Sequence, residues 1–308
     1  SILRHKDLDV IGRELEELKI RNIKFITPSQ KEYPKRLFHL VDYPIGIYVK
    51  GQLPKEEGIS LAVVGARNAS YYGKEMARLF CRELAKKKVQ VISGLAFGVD
   101  ASAHQGALEG EGYTLGVLGC GINICYPKEN YKLSFEMEQK GGIISEYGLY
   151  EKPLPGYFPM RNRIISAMSD GILVIEAKKK SGSLITVDQG LELGRNIYAI
   201  PGKVTDTLSE GCNHLIQLGA KLVTCPDDIL EDYYDIREKS RLKCENKMDG
   251  LVMNEKKVYS CLSLEPKYID YIIEETGYNV QETISILFGL ETKGLIKQTV
   301  KNYYSVNL

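Results

Sequence analysis

The distribution of apolar positions divides the chain into three regimes. Between residues 58 and 232, short unbroken apolar runs recur: LAVV at 61–64, VQVIS at 89–93, TLGVLG at 114–119, GIIS at 142–145, GILVIE at 171–176, NIYAI at 196–200 and AKLV at 220–223. Between most of them lie stretches long enough for a helix. A strand that is apolar on both faces must be covered on both faces. Regular alternation of such strands with helices therefore predicts a parallel sheet with helices on either side. The expected fold class is α/β, a Rossmann-like, doubly wound and mostly parallel sheet over residues 51–232. Ligands of such sheets bind outside the carboxyl ends of the strands.

The flanking regions read differently. Residues 1–50 are expected to form a small helical N-terminal segment. DVIGRELEELKIRNIKFIT has helical spacing, and YPKRLFHLVDYPIGIYVKG reads as a short helix, a break at Pro44 and a strand. Residues 233–254 are dense in charge with little apolar periodicity and are expected to be a linker. In 255–308, EKKVYSCL, EPKYIDYIIEETG (ending at Gly277) and NVQETISILFGLETKG suggest three helices, the last with Val280, Ile284, Leu287 and Leu290 on one face. LIKQTVKNYYSVN follows as two strands around a turn. Three helices and a hairpin predict a winged-helix domain.

Composition narrows the classes. The chain has 308 residues, 44% hydrophobic and 26% charged, with a formal net charge of +1. That is the profile of a globular domain plus smaller units. It argues against a protein coated in positive charge and leaves room for a local basic groove. No apolar run reaches membrane-spanning length, so no membrane association is expected. No secretory signal is visible at the start, where SILRHKD fits a trimmed terminus. The seven cysteines form neither a disulfide framework nor a zinc spacing, which fits free thiols in a reducing cytoplasm.

Four loops at expected strand ends carry the candidate chemistry. In VVGARNASYYGKE, Gly65 can release the chain from the sheet and Arg67 can project from the strand end toward an anion; pairing of Arg67 with a local carboxylate is an equal alternative. In SGLAFGVDASAHQGAL, Asp100 is placed as a helix N-cap, and His104 reads as a packed helical residue rather than a base or ligand. In GVLGCGINICYPKEN, GCGINI has only two of the three dinucleotide glycines, so no nucleotide cofactor is expected. In FPMRNRIISAMSDGILVIEAKKKSGSLIT, Pro159 suits the first turn of a helix over 159–169, with Arg161 and Arg163 near its start. Cations there oppose the helix dipole unless an anion or carboxylate is near. Ser181, Gly182 and Ser183 form a turn able to cap a helix beginning near Leu184, with Lys178 to Lys180 as either anion ligands or a solvated loop. Bare amides, serine hydroxyls and the arginine pair are thus expected to converge on one anion site. A row of phosphate-sized sites suits a polymer backbone, and Tyr157 and Phe158 offer stacking surface for bases.

These segments, together with GRNIYAIPG and EGCNHLIQLGA, occur in the order found in the DNA-processing protein A (DprA/Smf) family, which the chain resembles over about residues 20–232. The C-terminal part is similar to the winged helix that many members carry. The resemblance implies binding of single-stranded DNA on the Rossmann-like domain, homodimerisation, hand-over of the strand to the RecA recombinase, and a role in natural transformation. It also implies a DNA-contacting set of Gly65, Arg67, Phe158, Arg161, Asn162 and Arg163, with Lys180, Ser181, Gly182 and Ser183 beside them. The chain departs from the family in having Ala66 where Ser is common, and Phe97 where Arg is common.

The runner-up is an enzyme on the same fold, a nucleotide phosphoribohydrolase. That group carries a Pro-Gly-Gly-X-Gly-Thr loop followed by a Glu; the corresponding place here reads KKKSGSLITVDQG. General acid–base work needs a placed carboxylate, and Asp100, Glu146 and Glu176 each read equally as caps or ion-pair partners. No catalytic residue, metal ligand or cofactor is therefore assigned. A transcription regulator led by the winged helix is the third class. Its third helix carries Glu282 and Glu291 with only Lys293 and Lys297 as nearby cations, which is poor chemistry for reading duplex DNA.

Overall fold

The computed structural model describes residues 8–233, 252–263 and 265–307. The chain divides into two compact units, Ser1–Tyr234 and Asp235–Leu308. Most of the expected linker lies outside the described residues.

The larger unit is built on nine strands. They are β1 (Lys24–Ile26), β2 (Ile47–Gly51), β3 (Ser60–Val64), β4 (Gln90–Ser93), β5 (Thr114–Leu118), β6 (Gly142–Ser145), β7 (Gly171–Val174), β8 (Asn196–Ala199) and β9 (Lys221–Leu222). Their order is β1-β2-β6-β5-β4-β3-β7-β8-β9. From β6 to β9 all neighbours are parallel. Each of the seven apolar runs supplies one strand of this parallel part. The chain leaves β3 toward β4 on one side and later returns to β7 on the other. The β3/β7 pair is thus the topological switch point, where a crevice opens beyond the strand ends.

The N-terminal segment is not a separate helical piece. After α1 (Leu8–Ile20), β1 and β2 extend the sheet, with β2 antiparallel to β6 through Tyr48↔Ser145 to Gly51↔Gly142. A short 3₁₀ turn at Lys35–His39 carries Arg36, whose Nη1 donates to Asp170 Oδ1 at 2.7 Å; the other carboxylate oxygen of Asp170 accepts from the Ser60 amide at 2.8 Å. A three-residue strand has too short a period to be read from the sequence, which is why β1 was not expected.

Helices α2 (Tyr71–Lys86), α3 (Val99–Glu109), α4 (Tyr131–Lys140), α5 (Tyr157–Ala167), α6 (Gly182–Glu192), α7 (Glu210–Gln217) and α8 (Pro226–Leu230) complete the unit. In α2, Met76, Ala77, Phe80, Cys81 and Leu84 recur at helical spacing and are buried. Burying a side chain such as Phe80 stabilises the fold by about 1.5–3 kcal/mol. One core joins Ala62, Val64, Ile92 and Val117 of the sheet to Ile164, Ile165 and Met168 at α5 and Val187 of α6. A second joins Leu95, Leu118 and Ile143 to Leu108 of α3 and Leu133 and Met137 of α4. Helices α5 and α6 thus begin together on one side of the switch point.

The smaller unit contains α9 (Met253–Ser260), α10 (Ile269–Thr276) and α11 (Val280–Thr292), with β10 (Lys267–Tyr268), β11 (Ile296–Val300) and β12 (Tyr303–Val306) in the antiparallel order β10-β12-β11. This is a winged-helix arrangement. Gly277 ends α10 in the left-handed region (φ 71°), as its position suggested. The expected face of α11 is corrected: Thr283, Ile286, Leu287 and Leu290 are buried, whereas Val280 and Ile284 are exposed. Glu282 closes a capping box with Asn279, which explains an acidic residue early in this helix. No helix among the described residues is long and apolar enough to cross a membrane.

Candidate nucleic-acid interface

The crevice at the switch point is a cleft of about 610 Å³. Its walls come from the β3–α2 loop, the start of α5 and the β7–α6 loop. Gly65 leaves β3 where a Cβ would meet Val99 Cγ2 at 2.6 Å and the Glu176 carbonyl at 2.9 Å. Only a bare backbone fits there, as the turn required. Beyond it the loop is tied down by Glu176, which is 3% exposed. This carboxylate accepts from the Ser70 amide at 2.8 Å and the Ser70 hydroxyl at 2.5 Å, while Ser70 Oγ caps α2 by accepting from the Gly73 amide at 3.0 Å. The neighbouring loop closes on the same segment. Gly98 sits at φ 75°, with Ala66 O and Arg67 O where its Cβ would be.

Arg67 is exposed at the mouth, its guanidinium carbon 4.9 Å from the centroid of the Phe158 ring. Phe158 in turn lies 5.6 Å from the Tyr126 ring and covers Gly119. The alternative reading of Arg67 is not met: among the described residues no carboxylate pairs with it, nor with Lys178 or Lys180 on the opposite wall. A cation over an aromatic face at such a site is worth about 0.5–1 kcal/mol, enough to orient Arg67 without neutralising it. Ser181 caps α6, accepting from the Ser183 amide at 3.4 Å, and the two hydroxyls are 2.8 Å apart. The helix starts at Gly182, two residues before the expected Leu184. Asn162 Nδ2 donates to Gly182 O at 3.4 Å and links α5 to this turn. Gly65, Arg67, Phe158, Arg161, Asn162, Lys180, Ser181, Gly182 and Ser183 therefore line one cleft.

The expected arginine pair does not form. Helix α5 starts at Tyr157 rather than Pro159, and residues two apart on a helix point about 200° away from each other. Arg163 turns away from the cleft. Its Nη2 donates to both oxygens of Glu146, at 2.7 and 2.8 Å, and its Nε lies 3.0 Å from Asp42 Oδ2. Arg161 goes the other way and forms the floor, 4% exposed. Its Nη1 donates to Gly94 O at 2.7 Å and also to Val117 O. Burial pushes its pKa down, against the attraction of Asp100; burial pushes Asp100 up, against the attraction of Arg161.

Asp100 is not the expected N-cap. Gly98 holds that position, and Asp100 accepts backwards from the amides of Gly94 (3.1 Å) and Ala96 (3.4 Å), fixing the loop around Arg161. His104 is a core residue: it is wholly buried, its Nδ1 is 2.6 Å from Thr114 Oγ1, and burial pushes its pKa down to about 3. Asp100, Tyr126 and Lys178 also line the cleft outside the expected DNA-contacting set; the sequence marked Asp100 as a cap and Lys178 as one of three lysines that could bind an anion, and gave no signal for Tyr126. No group of three or more His, Cys, Asp or Glu able to hold a metal ion occurs among the described residues.

The chain has relatives among known proteins. A family profile described as DNA recombination-mediator protein A matches residues 24–234. Protein Smf of Escherichia coli (strain K12) is 38% identical over 287 residues, covering 90% of this chain and 76% of that protein. The crystal structure of DNA processing protein A from Streptococcus pneumoniae superposes with a TM-score of 0.67 at 39% identity, covering 71% of this chain and 78% of that one. DNA processing protein A from Helicobacter pylori, in a structure described as revealing a unique single-stranded DNA binding mode, superposes with a TM-score of 0.61 at 29% identity over 68% and 95% of the two chains. With the profile spanning the whole sheet and the cleft, and relatives matched over most of their length, the chain belongs to the DNA recombination-mediator protein A family.

Proposed function

We propose that the chain binds single-stranded DNA along this cleft and acts in recombination during natural transformation. One observation carries the reading: Arg67, stacked on the Phe158 ring, and Lys178 and Lys180 line one cleft and have no carboxylate partner among the described residues. Unpaired cations attract a phosphate backbone, and an adjacent aromatic face accepts any base. The Helicobacter pylori relative supports the same reading. Family membership supports two further steps, homodimerisation and hand-over of the strand to the RecA recombinase in the cytoplasm. The phosphoribohydrolase alternative needs a free carboxylate at the strand ends. Glu146 is held by Arg163, Glu176 by Ser70 and Asp100 by the Gly94 and Ala96 amides, which supports a binding protein without a catalytic set.

The test is fluorescence anisotropy with labelled single-stranded and duplex oligonucleotides over a salt series. Tight, salt-dependent single-strand binding is expected. Arg67→Ala lowers the salt slope by about 0.7, and Phe158→Ala weakens binding by about 1–3 kcal/mol. Equal or absent binding of the two DNA forms refutes the reading. Release of a base or phosphate from nucleotides, abolished at a named carboxylate, restores the enzyme.

A further inference from the structure

The mouth of the cleft and its floor have different chemistry. The cations of the mouth are exposed and can meet a phosphodiester on a passing strand. Arg161 lies beneath them, 4% exposed, and its guanidinium is only partly satisfied. Nη1 is bonded to two carbonyls, Nε is buried with no acceptor, and no hydrogen bond from Nη2 exists among the described residues. A buried cation with unused donors is costly unless an anion completes it. Asp100 attracts Arg161, but it hydrogen-bonds the Gly94 and Ala96 amides and leaves the arginine Nε without an acceptor. The eleven-residue helix α6 opens at Ser181, and its N-terminal residues Ser181, Gly182 and Ser183 line the same cleft as Arg161.

We infer that the cleft floor takes a terminal phosphate monoester, seated between Arg161 and the N-terminus of α6. A phosphodiester carries sugars on both sides, which hold it at the mouth. A monoester has three free oxygens and a charge of about −1.5 to −2 at neutral pH, and can enter from one side. A strand end and a free nucleoside monophosphate both offer this group. The inference rests on the proposed single-strand binding at the same cleft.

The test compares oligonucleotides of one short length and sequence carrying a 5′-phosphate, a 3′-phosphate or hydroxyls only, by anisotropy on the full chain. One phosphorylated form is expected to bind about tenfold tighter than the hydroxyl form, and to be displaced by millimolar nucleoside monophosphate of the same polarity but not by the nucleoside. In Arg161→Lys this preference falls to under threefold. The comparison on the unaltered chain decides the matter should Arg161→Lys fail to fold. Equal, tight binding of all three forms overturns the inference and leaves single-strand binding intact. Absent binding of all three removes both.

Discussion

Gly94→Ala is the substitution whose effect the geometry fixes most sharply. Position 94 lies against the Arg161 guanidinium. An added Cβ would stand 2.3 Å from Nη1, 2.6 Å from Cζ and 2.6 Å from Nη2, against an ordinary contact of about 3.5–4.0 Å. Gly94 has no positive φ, so alanine is acceptable to its backbone and the whole penalty comes from the side chain it meets. The guanidinium has to move by more than 1 Å, and in moving it leaves the carbonyls of Gly94 and Val117. A hydrogen bond from a charged group contributes about 1.5–3 kcal/mol, and overpacking a filled core costs about 1–3 kcal/mol. These overlap, because relieving the clash breaks the bonds, so the expected destabilisation is about 2–4 kcal/mol. The assay is urea denaturation in a double-mutant cycle with Arg161→Ala. In that background the clash partner is gone, and Gly94→Ala is expected to change stability by less than about 1 kcal/mol, giving a coupling of at least about 1 kcal/mol. If alanine at 94 costs as much without Arg161 as with it, Gly94 does not exist to seat the arginine, and the account of the cleft floor is wrong.

Other outcomes follow from the same contacts. Arg163→Ala leaves the partly exposed Glu146 without its cation and should lower stability by about 1–3 kcal/mol, while single-strand affinity, read by anisotropy on the folded fraction, changes less than twofold; an effect on affinity as large as that of Arg67→Ala would place Arg163 on the DNA. His104 has its pKa pushed down to about 3 from 6.5, so the unfolded chain takes the proton first. Its contribution is complete above about pH 6.5 and falls on acidification, by about 2 kcal/mol between pH 7 and pH 5. His104→Gln should flatten that part of the urea-midpoint profile, and an unchanged profile refutes the assignment. Truncation after residue 234, at the boundary between the two compact units, should retain most of the single-strand affinity; its loss would move the principal DNA site to the winged helix.

The sheet was legible because its signal is local. Each parallel strand is a continuous apolar run, and all seven runs became strands, with boundaries shifted only at their ends. The turn at Gly65 and the cap at Ser181 were legible for the same reason, since a glycine after a strand and a serine before a helix act on their own neighbours. What was hidden depends on residues distant in sequence. Arg161 and Arg163 look equivalent in FPMRNR, and only the partners on either side of α5 separate them: carbonyls of Gly94 and Val117 for one, carboxylates of Glu146 and Asp42 for the other. Glu176 reads as the end of a strand but acts as an anchor for a loop over 100 residues earlier. The face of α11 was misjudged because Val280 and Ile284 are apolar yet unburied, while Thr283 fills the core and satisfies its hydroxyl on Asn279 O.

The sheet order also bears on how the protein is made. The switch-point strands β3 and β7 are neighbours, and the Ser60 amide bonds Asp170 across a separation of 110 residues. A ribosome adding about 5–20 residues per second takes roughly 5–20 s to deliver the second strand after the first. Throughout that interval β3 has β4 on one flank and, on the other, an edge of unpaired backbone N–H and C=O groups. The same holds for β2, which waits for β6. The nascent chain therefore emerges as a half-sheet with an open seam, a state prone to pairing with its neighbours on a polysome. Holdase chaperones that mask that seam should raise the yield of native protein more than any change in the cleft.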